Sequence, residues 1–193
     1  MSYDVVNILD MIDSIGEDAV SAALSEFSCS KNIEIENFVR KNAIEFAKKK
    51  VSITYLVYGS NGKIAGVFAL THKAMELRND ILSNTARKKV QRYSRLDEHT
   101  NSFNVSAFLI AQFGKNDNFA ADDSLTGSKL MDFTFDVLTA VQHDIGGGLV
   151  YLESEDKEKL LDFYSSEPNQ FIKFGERYSE EDSVKYIQLF RFV

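Results

Sequence analysis

The stretch from Ser102 to Ser154 constrains this chain more than any other. It opens on an apolar run, residues 103–113, that includes Val105, Ala107, Phe108, Leu109, Ile110 and Ala111. The run is well short of the ~20 apolar residues of a membrane span, and too rich in large apolar side chains for an exposed edge. It predicts a central strand covered on both faces. A polar loop follows over 114–126, then a helix over 127–145 in which Leu130, Met131, Phe133, Thr134, Val137, Leu138 and Val141 recur at three- and four-residue spacing. Gly146, Gly147 and Gly148 end it as a C-cap and turn, and Leu149-Val150-Tyr151-Leu152 predicts another strand. In a strand–loop–helix–strand unit, anions bind at the loop entering the helix.

The rest of the chain supplies the frame. Residues 1–24 read as a helix, with Val5, Ile8, Leu9, Ile12, Ile15, Val20 and Leu24 along one face and Gly16 as a break. Phe27-Ser28-Cys29 reads as a short strand. Asn32 is the N-cap of a helix over 33–50, acidic in its first turn and basic in its last, as the helix dipole favours. Residues 51–58 alternate β-branched and aromatic side chains as a strand does. Gly59-Ser60-Asn61-Gly62 is a hairpin turn, and 63–70 the returning strand. Residues 72–96 turn polar and basic, which predicts a helix or long loop laid over the domain. A short helix over 156–164 precedes Pro168, and 170–175 and 185–192 read as closing strands.

Hydrophobic residues make up 44%, enough for one sizeable core in 193 residues. No basic residue precedes an apolar stretch at the N-terminus, so no secretory signal is expected there. A single cysteine, Cys29, excludes an intrachain disulfide. These features predict a cytoplasmic protein. The net charge of −7 steers nucleic acid poorly, and the charge is uneven: residues 73–95 carry seven Lys and Arg against Glu76 and Asp80. The run Arg87-Lys88-Lys89-Val90-Gln91-Arg92 reads as a solvated helix face or as a grip on an RNA backbone or a phosphate. His72, His99 and His143 show no metal-ligand spacing, so no metal is expected. His72 is a candidate for touching substrate, and His143 suits a helix C-terminus. Cys29 reads as a small buried hydrophobe.

Taken in order, the elements and their motifs resemble the Gcn5-related N-acetyltransferase superfamily, nearest its acetyltransferase-toxin branch. The motifs are Phe27-Ser28-Cys29, Ile35-Glu36-Asn37-Phe38, Thr54-Tyr55-Leu56-Val57, Gly127-Ser128-Lys129-Leu130-Met131 and Leu160-Leu161-Asp162-Phe163-Tyr164. The resemblance implies an α/β fold, with a mixed, mostly antiparallel twisted sheet, helices on both faces and a splayed central strand pair. It covers residues 25–193 as a single domain and leaves 1–24 as an N-terminal helical extension, suited to docking on a second subunit or a protein partner.

What the resemblance implies for the site follows residue by residue. The family's signature before its third main helix is a glutamine or arginine, two residues, glycine, one residue, then glycine or alanine. Here the window reads Asp122-Asp123-Ser124-Leu125-Thr126-Gly127, and only Gly127 matches. The pyrophosphate of acetyl-CoA would rest on backbone N–H groups of Leu125, Thr126, Gly127 and Ser128, which do not depend on side-chain identity. The end of the central strand, Phe113, Gly114 and Lys115, would hold the pantetheine arm. Tyr164 would be the general acid that protonates the leaving thiolate, and Glu153 a weak candidate for the base. The loop after Tyr164, Ser165-Ser166-Glu167-Pro168-Asn169-Gln170-Phe171, is longer than the family's and differently built. The implied activity is transfer of an acetyl group from acetyl-CoA to an amine acceptor by direct attack. A tRNA-acetylating toxin-like protein and a degenerate CoA-fold binding or interaction module are the alternatives.

Overall fold

A computed structural model of the chain describes residues 2–119, 125–180 and 183–193. The chain divides into two compact units, one of residues 1–71 and 110–136, the other of 72–109 and 137–193. The sheet has eight strands in the order β1-β2-β3-β5-β6-β8-β7, with β4 pairing β5. Of the pairings described, only β5 with β6 is parallel; β1–β2, β2–β3, β4–β5, β6–β8 and β7–β8 are antiparallel.

The first unit begins with strand β1 (Tyr3–Asn7), paired with β2 (Ile53–Gly59) from Tyr3↔Gly59 to Asn7↔Tyr55. The helix expected over 1–24 is therefore a strand followed by two helices, α1 (Ile8–Ile15) and α2 (Glu17–Ser25). The side chain of Asn7 accepts from the Leu9 N–H at 2.9 Å and starts α1 there. The apolar stripe is consumed within this unit: Ile8, Val20 and Leu24 are buried with Phe27, Val39, Leu56 and Val67 in one core cluster. Ile15, of the same stripe, stays exposed. Asn32 caps α3 (Ile33–Asn37), its side chain accepting from the N–H groups of Glu34 and Ile35 at 3.0 and 3.2 Å. A π-turn (Phe38–Asn42) leads into α4 (Ala43–Lys48). The expected strand at Phe27–Cys29 is absent, because side chains rather than a neighbouring strand take that backbone's hydrogen bonds.

Strand β3 (Ile64–Arg78) returns from the hairpin and runs on through both units. This corrects the cover expected over 72–96: Met75 and Leu77 are buried while Ala74, Glu76 and Arg78 are exposed, the period-two alternation of a strand. After a turn, Ser83 caps α5 (Asn84–Val90) by accepting from Ala86 N–H at 3.2 Å, and β4 (Leu96–Asp97) follows. Strand β5 (Ser102–Lys115) and helix α6 (Gly127–Ile145) lie where the sequence placed them. Gly146 donates to Gln142 O at 2.8 Å and closes α6. The second unit ends with β6 (Leu149–Glu155), α7 (Glu158–Ser165), β7 (Ile172–Ser179) and β8 (Val184–Phe192). Its core joins Leu77 and Val90 to Phe103, Ala107, Leu149 and Phe190, all fully buried.

Candidate active site

In the first unit, the end of β5 is held by the residue after it. Asn116 is a buried polar side chain. Its Nδ2 donates to Ile64 O at 2.7 Å, and its Oδ1 accepts from the N–H groups of Ser28 and Asn118, each at 3.0 Å. Its own N–H donates to Ala65 O at 2.9 Å. One amide thus ties the end of β5 to the start of β3 and to the 26–30 loop. Asp117 adds a second tie, accepting from Ser30 N–H at 2.6 Å and from its hydroxyl at 2.5 Å. Glu36 completes the loop's support, accepting from Cys29 N–H at 2.8 Å and Ser28 hydroxyl at 3.1 Å and pairing with Arg40 at 2.8 Å. These bonds, that from Cys29 foremost, hold the Glu36 carboxyl below the usual carboxylate range against the cost of its burial.

The strand end and the helix start meet at Gly66. A Cβ there would lie 2.8 Å from Leu125 Cδ2 and 3.2 Å from Gly114 O, closer than packed side chains allow. Gly114 is crowded on its other side, where a Cβ would come within 2.9 Å of Ile35 Cγ2. Leu125 is buried and seats the beginning of α6, while Thr126 and Ser128 are exposed. Thr126 is the N-cap: its Oγ1 accepts from Lys129 N–H at 3.1 Å and its carbonyl from Leu130 N–H at 3.0 Å. The N–H groups of Gly127 and Ser128 have no intrahelical acceptor at such a terminus. Lys129 Nζ sits 5.0 Å from the Tyr3 ring centroid. Phe113 is half-buried and Lys115 exposed. Of the predicted cofactor residues the structure therefore brings Gly114 and Leu125 together over one glycine, followed by an open, capped helix start. Asp122, Asp123 and Ser124 lie outside the described residues.

In the second unit, β5 pairs with β6 only at Phe108↔Val150 and Leu109↔Tyr151 among the described residues. Strand β6 goes on pairing with β8 through Glu155↔Tyr186. Tyr164 lies in the last turn of α7 and is buried, with the rings of Phe163 and Phe171 at 5.1 and 5.8 Å. Burial pushes its phenol pKa far above the ordinary value, so the group is a neutral donor throughout the physiological range.

The other sequence candidates resolve plainly. Glu153 accepts from Arg177 at 2.7 and 3.1 Å and from Gln188 at 2.8 Å. Burial works against its charge, yet these bonds hold the carboxyl below the usual range, which leaves a poor proton acceptor. The His72 ring lies 3.2 Å from Ser106 Oγ and 5.1 Å from the Phe108 ring, on an exposed part of β3. Cys29 is buried, and desolvation raises its thiol pKa, which suits a packed hydrophobe rather than a nucleophile. His143 lies in the last turn of α6, 3.2 Å from Asp144. In α5, Lys88 and Lys89 are exposed, and Lys89 Nζ stands 5.1 Å from the Phe192 ring centroid. Among the described residues no group of three His, Cys, Asp or Glu is placed to hold a metal, and no helix is long and apolar enough to cross a membrane. Sequence reasoning missed Asn116 and Asn169, whose only signal was the turn propensity of asparagine, and Arg191, which gave none.

No protein-family model matches the chain, and comparison with curated proteins gives no match. Solved structures do match. A tyrosine-to-phenylalanine mutant of KacT aligns at TM-score 0.66 and 15% identity, over 100% of this chain and 95% of that one. AtaT complexed with acetyl-methionyl-tRNAfMet aligns at 0.62 and 14%, over 96% and 94%. A tyrosine-to-phenylalanine mutant of the AtaT toxin, bound to acetyl-CoA and the C-terminus of the antitoxin AtaR, aligns at 0.60 and 13%, over 100% and 94%. The mixed, mostly antiparallel α/β architecture that the Gcn5-related resemblance implied is thus the fold of this chain, shared along nearly its whole length with the AtaT toxin and with KacT.

Proposed function

We propose that this chain is an N-acyltransferase that moves the acetyl group of acetyl-CoA to an amine by direct attack. The observation that carries the reading is the order of parts along β5 and α6: a strand paired in parallel with β6 at Phe108 and Leu109 that runs on to Lys115, then an exposed helix start capped by Thr126. Backbone groups of Phe113, Gly114 and Lys115 would hold the pantetheine amides as a short extra strand does. The N–H groups of Leu125, Thr126, Gly127 and Ser128 would take the pyrophosphate, where the helix dipole favours negative charge. An open, capped helix terminus fits such a ligand. When bound, acetyl-CoA supplies the activated thioester. The chain's contribution is alignment of donor and acceptor, and a proton held on the Tyr164 hydroxyl for the departing sulfur. A tyrosine at this role is in keeping with the tyrosine-to-phenylalanine variants of AtaT and KacT. The amine must reach the site uncharged; Glu153, bound to Arg177, is a poor base, so solvent is the better proton sink.

For the acceptor, an aminoacyl-tRNA has the support of AtaT, solved with acetyl-methionyl-tRNAfMet, and of the exposed cations of α5. The net charge of −7 opposes it. A partner protein of the antitoxin kind has the support of the AtaT complex with AtaR. Calorimetry with acetyl-CoA, then label transfer from acetyl-CoA to aminoacyl-tRNA, peptide and small amines, tests the reading. Binding with transfer to one acceptor class is the expected result. No heat and no thermal shift at millimolar acetyl-CoA overturns it and favours the interaction module.

A further inference from the structure

We propose that Asn169 and Arg191 are positioning residues that fix the Tyr164 phenol; the proposal rests on the acyltransferase reading for its meaning, though not for its first test. The last carbonyls of α7 have no partners within the helix itself. Leu161 O accepts from Ser165 Oγ at 2.8 Å and Asp162 O from Ser166 N–H at 3.0 Å. Phe163 O accepts from both Ser166 Oγ at 2.6 Å and Asn169 Nδ2 at 2.7 Å, and Tyr164 O from Phe171 N–H at 3.0 Å. Three of the carbonyls that the helix leaves over, those of Asp162, Phe163 and Tyr164, thus each have a protein donor.

The loop that provides these donors is itself anchored. Asn169 is 3% exposed. Arg191 Nη1 donates to the carbonyls of Pro168 and Asn169 at 3.1 and 2.9 Å, and Arg191 stands opposite Val150 in the β6–β8 register. The chain of support runs from the sheet through the Arg191 guanidinium to the loop, through the Asn169 amide to Phe163, and so to the next residue, Tyr164. A tyrosine ring has two torsions. With the backbone set and the rings of Phe163 and Phe171 against it, both are restrained. A general acid needs such placement, because a shift of about 1 Å costs as much as ~10²-fold in rate. This loop is also the one that is longer and differently built than the family resemblance implies.

The test uses the full chain labelled with ¹³C-tyrosine, its Tyr164 resonance assigned with Tyr164→Phe, in Asn169→Ala, Arg191→Gln and the milder Arg191→Lys. We expect the Tyr164 resonance to move and broaden in Asn169→Ala and Arg191→Gln and to titrate nearer the ordinary tyrosine range. Arg191→Lys should lie between these and the parent. Acetyl-CoA affinity should be unchanged, while CoA release with the acceptor found by label transfer falls by up to ~10²-fold. Lower melting temperatures with an unmoved Tyr164 resonance and titration overturn the proposal and leave the pair a structural role. A Tyr164→Phe chain with full turnover overturns the acid reading instead, and the spectra alone then decide whether the pair fixes the ring.

Discussion

The start of α6 and the end of α7 make opposite use of the same problem, a helix terminus with unpaired backbone groups. At the start of α6, one hydroxyl, that of Thr126, caps one N–H, and the polar residues around it are exposed. At the end of α7, Ser165, Ser166, Asn169 and the Phe171 N–H meet every carbonyl from Leu161 to Tyr164. The first terminus suits an anion arriving from solvent. The second suits a side chain that must hold still. Rigidity in the first unit sits one step back, in Asn116 and Gly66, which set the strand end and helix start without occupying them.

Four substitutions break or sharpen this contrast. The largest effect belongs to Tyr164→Phe, which keeps the ring: turnover should fall by ~10²–10⁴-fold while acetyl-CoA still binds and the midpoint of unfolding barely moves at neutral pH. The same variant has an alkaline signature. Burial raises the folded pKa above the ordinary 10, so this group's stabilisation is complete below pH 10 and is lost as pH rises. Tyr164→Phe should therefore flatten the alkaline limb of a stability profile, and a parent chain without that limb refutes the buried phenol.

Asn116→Ala comes next. It strands Ile64 O and the N–H groups of Ser28 and Asn118, at about 1–3 kcal/mol for each group that stays buried. Urea unfolding should show that loss, and acetyl-CoA affinity should drop with it. If affinity holds, the strand end is set by something else. Gly66→Val presses on Leu125 and Gly114 and should cost about 1–3 kcal/mol by overpacking. It sharpens the contrast because Tyr164, in the other unit, should keep its resonance unchanged. The smallest effect is Glu36→Gln. The folded pKa lies below 4.5, so the carboxylate's contribution is present above that value and fades as pH falls through the folded one. Acid unfolding of Glu36→Gln should be shallower than that of the parent, and parallel curves would show that the Cys29 and Arg40 contacts contribute nothing.

Elements that answer to local pattern were legible in the sequence. Helix α6 carries a 3.6-residue stripe from Leu130 to Val141, and its bounds, Gly127–Ile145, are those read from the sequence. The hairpin at residues 59–62 and the core of β5 followed from turn chemistry and from a run too apolar for an edge. Tyr164, four residues after Leu160 and three after Leu161, falls on the inward face of its short helix by spacing and is buried, while the role expected of it came only from an order of motifs. Asn116 and Asn169 read as ordinary turn residues, because an asparagine in a solvated loop and one clamped in a core have the same local sequence.

Read alone, then, the sequence determined which segments repeat with the period of a helix and where turns interrupt them, since those depend on neighbours within a few residues. It also set the chemistry on hand: one cysteine, three histidines, and a tyrosine at the end of a short helix. Tertiary structure decided the rest. Residues 3–7 became a strand because β2 offers them backbone partners some 50 positions away, which outweighs an apolar spacing that suited a helix equally well. Residues 72–78 stayed in β3 because Met75 and Leu77 found a core to enter. The two amides became clamps because their acceptors, Ile64 O for Asn116 and Phe163 O for Asn169, were brought within 2.7 Å. Hydrogen bonds of that kind depend on where the folded chain places a donor, and only the fold carries that information.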